Sequence, residues 1–109
     1  MGYQLDQTVE PRLLFFFRRN QLCNNYHVRY LEKFKKWIFY FDMDVPSAVD
    51  TKAAQTYNVT SVPTLILLNK EGYEDLRWVG GLGPDSHLLS IEIGMERAWW
   101  NDNERQKNI

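Results

Sequence analysis

Apolar residues come in short, dense runs separated by polar stretches. The first run, Leu13–Phe17 (LLFFF), is too short for a buried helix and rich in aromatics, so it predicts a strand buried on both faces. A polar stretch of Arg18, Arg19, Asn20 and Gln21 leads to Cys23. Over residues 24–36 the apolar positions Tyr26, Tyr30, Leu31 and Phe34 fall at helical spacing. Residues 37–41 (WIFYF) predict a second buried strand, ended by Asp42, Asp44, Pro46 and Ser47. Residues 50–57 read as a short helix, with Ala53, Ala54 and Tyr57 inward and Asp50 as its N-cap. Pro63 breaks the chain, and Thr64–Leu68 (TLILL) predicts a third strand. Asn69, Lys70, Glu71 and Gly72 form a turn in which the glycine takes the positive φ. Residues 75–79 alternate, with Leu76 and Trp78 on one face, so a fourth strand closes a hairpin that Gly80 and Gly81 end. A last helix starts near Pro84, with Gly83 a permissible cap before it; its apolar residues Leu88, Ile91, Met95 and Trp99 recur at three and four.

The order β-α-β-α-β-β-α predicts an α/β domain: a mixed four-stranded sheet flanked by about three helices. The first two strands run parallel through a right-handed crossover and the last two form an antiparallel hairpin. A length of 109 residues supports one domain over 1–109, with polar, loose ends at 1–11 and 101–109. Hydrophobic residues make up 44% and aromatics 15%, enough for a core and too many for a disordered chain. Thirteen basic against fourteen acidic residues give a net charge of -1, which argues against a nucleic-acid partner gripped through its phosphates. The longest strictly apolar runs are about five residues, against roughly 20 for a bilayer span, so no membrane partner is expected. The one cysteine excludes an intramolecular disulfide; with only His27 and His87 beside it, a zinc site built on two thiolates is excluded as well. Residues 1–12 are polar and unlike a signal peptide. The expectation is a soluble, cytoplasmic protein of a reducing compartment, without a metal.

The segment Tyr57-Asn58-Val59-Thr60-Ser61-Val62-Pro63-Thr64, running into an apolar strand and the turn glycine Gly72, resembles the second signature of the thioredoxin family. Val79-Gly80-Gly81-Leu82 is similar to the Val-Gly-(Ala/Gly)-Leu that precedes that family's last helix. The apolar run, loop, cysteine and helix from Leu13 onward sit where the family keeps its active site. The resemblance spans residues 13–100 and implies a thioredoxin-like fold. The departures are specific. The family's Cys-x-x-Cys is here Cys23-Asn24-Asn25-Tyr26, so Tyr26 stands in place of the resolving cysteine. The buried acid of the preceding strand falls in an all-apolar run. Residues 1–12 leave little room for a full thioredoxin's first strand and helix, and a glutaredoxin-sized version fits better.

In that register Cys23 lies at a helix N-terminus, where backbone N–H groups and the helix dipole favour an anion. His27 is one turn further on, and Arg18 and Arg19 precede the loop; all three are candidates for tuning a thiolate. A surface-facing Cys23 would be the attacking group in disulfide exchange; the alternative is a small, buried apolar residue. The resemblance implies that Pro63 is cis and faces the sulfur. It also implies that Val62 offers its backbone to an extended substrate peptide, with Asn24, Asn25 and Tyr26 completing the substrate-binding set. Tyr26 either packs over the site or faces the core. Trp37, Tyr40, Trp78, Trp99 and Trp100 read as core and helix–sheet packing, although the adjacent Trp99 and Trp100, about 100° apart on a helix, cannot both face inward. Two functions follow. One is a monothiol disulfide oxidoreductase forming a mixed disulfide with a protein or glutathione through Cys23, released by glutathione or another external thiol and needing no other cofactor. The other is a redox-inactive module that binds a protein partner.

Overall fold

In the computed structural model the described residues are 13–69, 71–80 and 86–97. Expectations for the polar ends, for Lys70, for Gly81 and Leu82, for the helix start at Gly83 and Pro84, and for Trp99 and Trp100 lie outside them. Leu13–Phe17 is strand β1. It pairs in parallel with β2 (Ile38–Asp42) and antiparallel with β3 (Thr64–Leu68). β3 pairs antiparallel with β4 (Glu74–Val79), and the sheet order is β2-β1-β3-β4. The mixed four-stranded sheet is therefore the one expected.

β1 and β3 are central and covered on both faces, which is why their sequences are apolar at every position rather than at every second one. Alternation then sorts the side chains. Leu13, Phe15, Leu65 and Leu67 point to one layer of core, and Leu14, Phe16, Ile66 and Leu68 to the other.

The first layer is closed by a helical stretch that changes pitch twice. Helix α1 is Gln21–Tyr26, followed by a π turn over His27–Leu31 and a 3-10 segment over Glu32–Trp37. The single helix expected over 24–36 is thus split. The spacing of the buried residues accounts for the end of it: Leu31, Phe34 and Trp37 are three apart, and only a three-residue pitch puts them in one line against the sheet. The strand that follows starts at Ile38, leaving Trp37 in the helical segment.

The second layer is closed by α2 (Ala48–Thr56), which contributes the buried Ala53. Its cap is Ser47 rather than Asp50. Ser47 Oγ accepts from Asp50 N–H at 3.1 Å, and Asp50 Oδ2 accepts from Ser47 N–H at 2.9 Å. The acid is the third helical residue of a capping box, so the helix starts before it.

Asn69 and Gly72 (φ 89°) make the β3–β4 turn, with Asn69 Oδ1 accepting from Glu71 and Tyr73 N–H. Leu76 and Trp78 share a face of β4, and α3 (Ser86–Met95) crosses them at Gly94, where a Cβ would sit 3.0 Å from Leu76 Cδ1. Ile91 and Met95 carry α3 onto the first core layer.

Candidate functional site

The C-terminal end of β1 leads into the loop of Arg18, Arg19 and Asn20. Asn20 is the N-cap of α1, its Oδ1 accepting Cys23 N–H at 2.8 Å. The cap fixes Cys23 in the first turn and consumes its own amide. The sulfur takes its donor from elsewhere: Arg18 N–H donates to Cys23 Sγ at 3.3 Å. Cys23 is 2% exposed, a correction to the surface-facing thiol expected from sequence.

Buried is not sealed. Cys23 lines a cavity of about 530 Å³, together with Phe15, Phe17, Arg18, Arg19, Asn20, Gln21, Asn24, His27 and Tyr40. That volume lies within the usual small-molecule range of roughly 300–1,000 Å³. The walls are aromatic and the rim is polar and cationic.

The candidate residues separate in the structure. Arg18 brings its backbone to the sulfur, and its exposed side chain makes no ion pair among the described residues. Arg19 is committed elsewhere: its guanidinium meets Asp42 Oδ2 at 2.6 Å and its N–H donates to Asp44 Oδ2 at 2.5 Å, so its charge is offset by β2's end rather than spent on the thiol. Asn24 lines the cavity; Asn25 does not, and its Oδ1 accepts from Gln21 Nε2 at 2.8 Å. Tyr26 faces the core, its ring stacked on Phe15 at 5.7 Å and edge-on to Tyr30 at 5.0 Å. His27 reaches the cavity and meets Tyr40 and Glu32. The Val62–Pro63 bond is cis, and Thr64, the next residue, pairs with Phe16, so Pro63 lies at the sheet end that carries the Cys23 loop. Neither residue lines the cavity. Pro63 C=O accepts Gly80 N–H at 3.1 Å, and Val62 packs on the second core layer.

Sequence reasoning passed over Tyr40, Phe15, Phe17, Gln21 and the cap Asn20 as site residues. Tyr40 is not core packing: it is 41% exposed and its hydroxyl lies 2.6 Å from His27 Nε2. The parallel register pairs Phe15 with Tyr40, and the period of two puts Phe17 on the same face. That face of two adjacent strands is the signal that could have found them.

No known family's sequence profile matches the chain, and no curated protein matches it. Solved structures do. One, described as a malarial protein, is 19% identical with a TM-score of 0.52, over 80% of this chain and 94% of that one. Another, the thioredoxin-2 of a malaria parasite, described as a component of that parasite's protein secretion machinery, is 21% identical with a TM-score of 0.51, over 74% of this chain and 80% of that one. The fold is thioredoxin-like. Within this thioredoxin-like domain, no helix among the described residues is long and apolar enough to cross a membrane, and no three His, Cys, Asp or Glu side chains among them cluster as a metal site.

Burial also marks the phenols. Tyr26 is pushed well above the ordinary tyrosine range by desolvation and by Tyr30, and desolvation raises Tyr40 and Tyr57 as well. Their contribution to stability is fully present below pH about 10, where an unfolded tyrosine ionises. Above it the unfolded chain holds fewer protons than the folded one, so stability falls as pH rises toward the folded values. Denaturant midpoints should therefore decline from pH about 10 upward, and Tyr26→Phe should flatten the decline. A profile identical in the two proteins would refute the assignment.

Proposed function

We propose that this thioredoxin-like domain exchanges thiols and disulfides through Cys23 alone. The observation that carries the reading is the position of Cys23 in the wall of a cavity of about 530 Å³, with a backbone N–H aimed at its sulfur. That donor holds the sulfur in place and meets negative charge on it. In the forward step the Cys23 thiolate attacks one sulfur of a protein or glutathione disulfide. A new Cys23–S bond forms, the S–S bond breaks, and the other half leaves as a thiolate that takes up a proton. Tyr26 occupies the place of a resolving cysteine, so release needs an external thiol. Glutathione of a reducing, cytoplasmic compartment would supply it, attacking the mixed disulfide and returning Cys23 as thiolate. Asn24 and the Arg18 side chain are the polar groups positioned to hold the incoming molecule, and Val62 is the place for an extended protein substrate to add as a strand.

The test is incubation with oxidised glutathione and with a glutathione mixed-disulfide peptide. Intact mass should show one glutathionyl group on Cys23, and reduced glutathione should turn the peptide over. Cys23→Ser should abolish both. A wild-type protein that forms no adduct and shows no turnover would sink this reading and leave the cavity to a redox-inactive binding role.

A further inference from the structure

Tyr40, His27 and Glu32 form a line of hydrogen bonds that opens into the cavity holding Cys23. Tyr40 Oη lies 2.6 Å from His27 Nε2, and His27 Nδ1 lies 3.2 Å from Glu32 Oε1. The backbone is shaped for it. His27 and Glu32 are five residues apart, which on an α-helix would turn them about 140° away from each other. A π turn is closed from residue i to i+5, and the π turn here is His27–Leu31, with Glu32 directly after it. The widened turn brings the carboxylate beneath the imidazole.

The carboxylate can only accept, so Nδ1 carries a proton. Nε2 then has two states: neutral, accepting the Tyr40 hydroxyl, or protonated, donating to it. The line can deliver a proton at Tyr40 Oη and refill it from Nε2 without leaving a free phenolate. Tyr40 itself stays a hydroxyl, because desolvation and the nearby Glu32 charge both disfavour its ionisation. Tyr40 and Cys23 line the same cavity, so a disulfide bound there shares one enclosure with the attacking sulfur and with this tyrosine. Cys23 Sγ takes its hydrogen bond from Arg18 N–H, which leaves the histidine line for another group.

We propose that Tyr40, backed by His27 and Glu32, donates the proton to the thiolate that leaves when Cys23 attacks a disulfide in the cavity. The proposal rests on the exchange reading above. The step balances. Cys23 thiolate forms the new S–S bond, and the leaving sulfur keeps the electron pair of the broken one. That sulfur takes the proton of Tyr40 Oη, and Tyr40 takes the proton of His27 Nε2. The Cys23 thiol gives its proton to solvent when it ionises, and His27 is reprotonated from solvent, which the exposed Glu32 side of the line meets. Tyr40 touches the reacting atoms; His27 and Glu32 are positioning residues.

The test uses disulfides whose leaving thiols run from acidic aryl to weakly acidic alkyl. Aryl thiolates leave without a proton, whereas alkyl thiolates need one. Tyr40→Phe keeps the ring that meets Phe15 and Phe17, each at 6.3 Å. It should react with the aryl disulfide within about twofold of wild type and with the alkyl disulfides about tenfold or more slowly, at the low end of general-acid effects. The plot of log rate against leaving-group acidity should steepen. Glu32→Gln, on an exposed side chain, should steepen it in the same direction by less. Equal slowing across the series, or no slowing, would overturn the relay while leaving the exchange intact. A wild-type protein unreactive toward every disulfide would overturn the exchange reading and the relay with it.

Discussion

Phe16→Ala should destabilise the domain by about 3–5 kcal/mol, the usual range for removing a buried ring. Phe16 is fully buried on the central strand β1, stacked on Phe41 with ring centres 4.7 Å apart and planes within 18°. Its layer is closed by α2, whose buried contribution is only Ala53, so the ring itself fills the space between sheet and helix. Ala53 is too small to fill the gap, and the larger neighbours Phe41, Ile66 and Leu68 are held in place on the strands of the sheet. A chain of this size commonly has a total stability of about 5–15 kcal/mol, so this one change removes a large part of it. Urea denaturation checks it through a fall in midpoint at unchanged slope. Phe16→Leu should cost clearly less. A loss below about 1 kcal/mol for Phe16→Ala would show that the layer repacks. Phe16 points away from the Cys23 cavity, so at temperatures where the variant is folded its exchange rate should match wild type.

Tyr26→Cys is the second large effect, and it runs against the lesson of the motif. In the thioredoxin register this change restores Cys-x-x-Cys and should look like a repair. In the structure Tyr26 is 2% exposed, stacked on Phe15 and set edge-on to Tyr30 in the main core layer. Replacing a phenol by a thiol there empties most of a ring's volume. Under reducing conditions, where no new disulfide can contribute, the expected cost is about 2–5 kcal/mol. Tyr26→Phe keeps both ring contacts and should cost far less. If reduced Tyr26→Cys kept a denaturation midpoint within about 1 kcal/mol of wild type, Tyr26 would have no packing role. The tyrosine is thus a core residue in its own right, and the helical turn after the single thiol is anchored to the sheet by an aromatic ring.

Much of the fold was legible because its signals are local. Runs such as LLFFF and TLILL are short, aromatic or branched, and bounded by polar or proline breaks, and each is a strand with the expected limits. The turn glycine Gly72 has the positive φ assigned to it, since only a residue without a Cβ takes that geometry cheaply. The helix over 24–36 was legible as helical and not as three pitches. Hydrophobic spacing says that a segment faces a core, whereas the pitch that achieves it is chosen by the sheet it must lie on. Asp50 misled because an acid near a helix start serves equally as cap or as third residue, and only the hydrogen bonds with Ser47 distinguish the two.

The site divides along the same line. By itself the sequence determined that there is one thiol, that Arg18, Arg19, Asn20 and Gln21 lead to it, and that no second cysteine follows three residues on. Those are facts of covalent order. The tertiary structure decided that the thiol is buried yet lines a cavity, that Arg19 spends its charge on Asp42, and that Tyr26 turns inward. It also decided that Tyr40, from a different strand, meets His27 in the wall of the cavity that Cys23 lines. The reason is physical: β2 returns parallel to β1, which sets Tyr40 against Phe15, 25 positions away in the chain. No local pattern encodes which face of a returning strand will meet which turn of a helix.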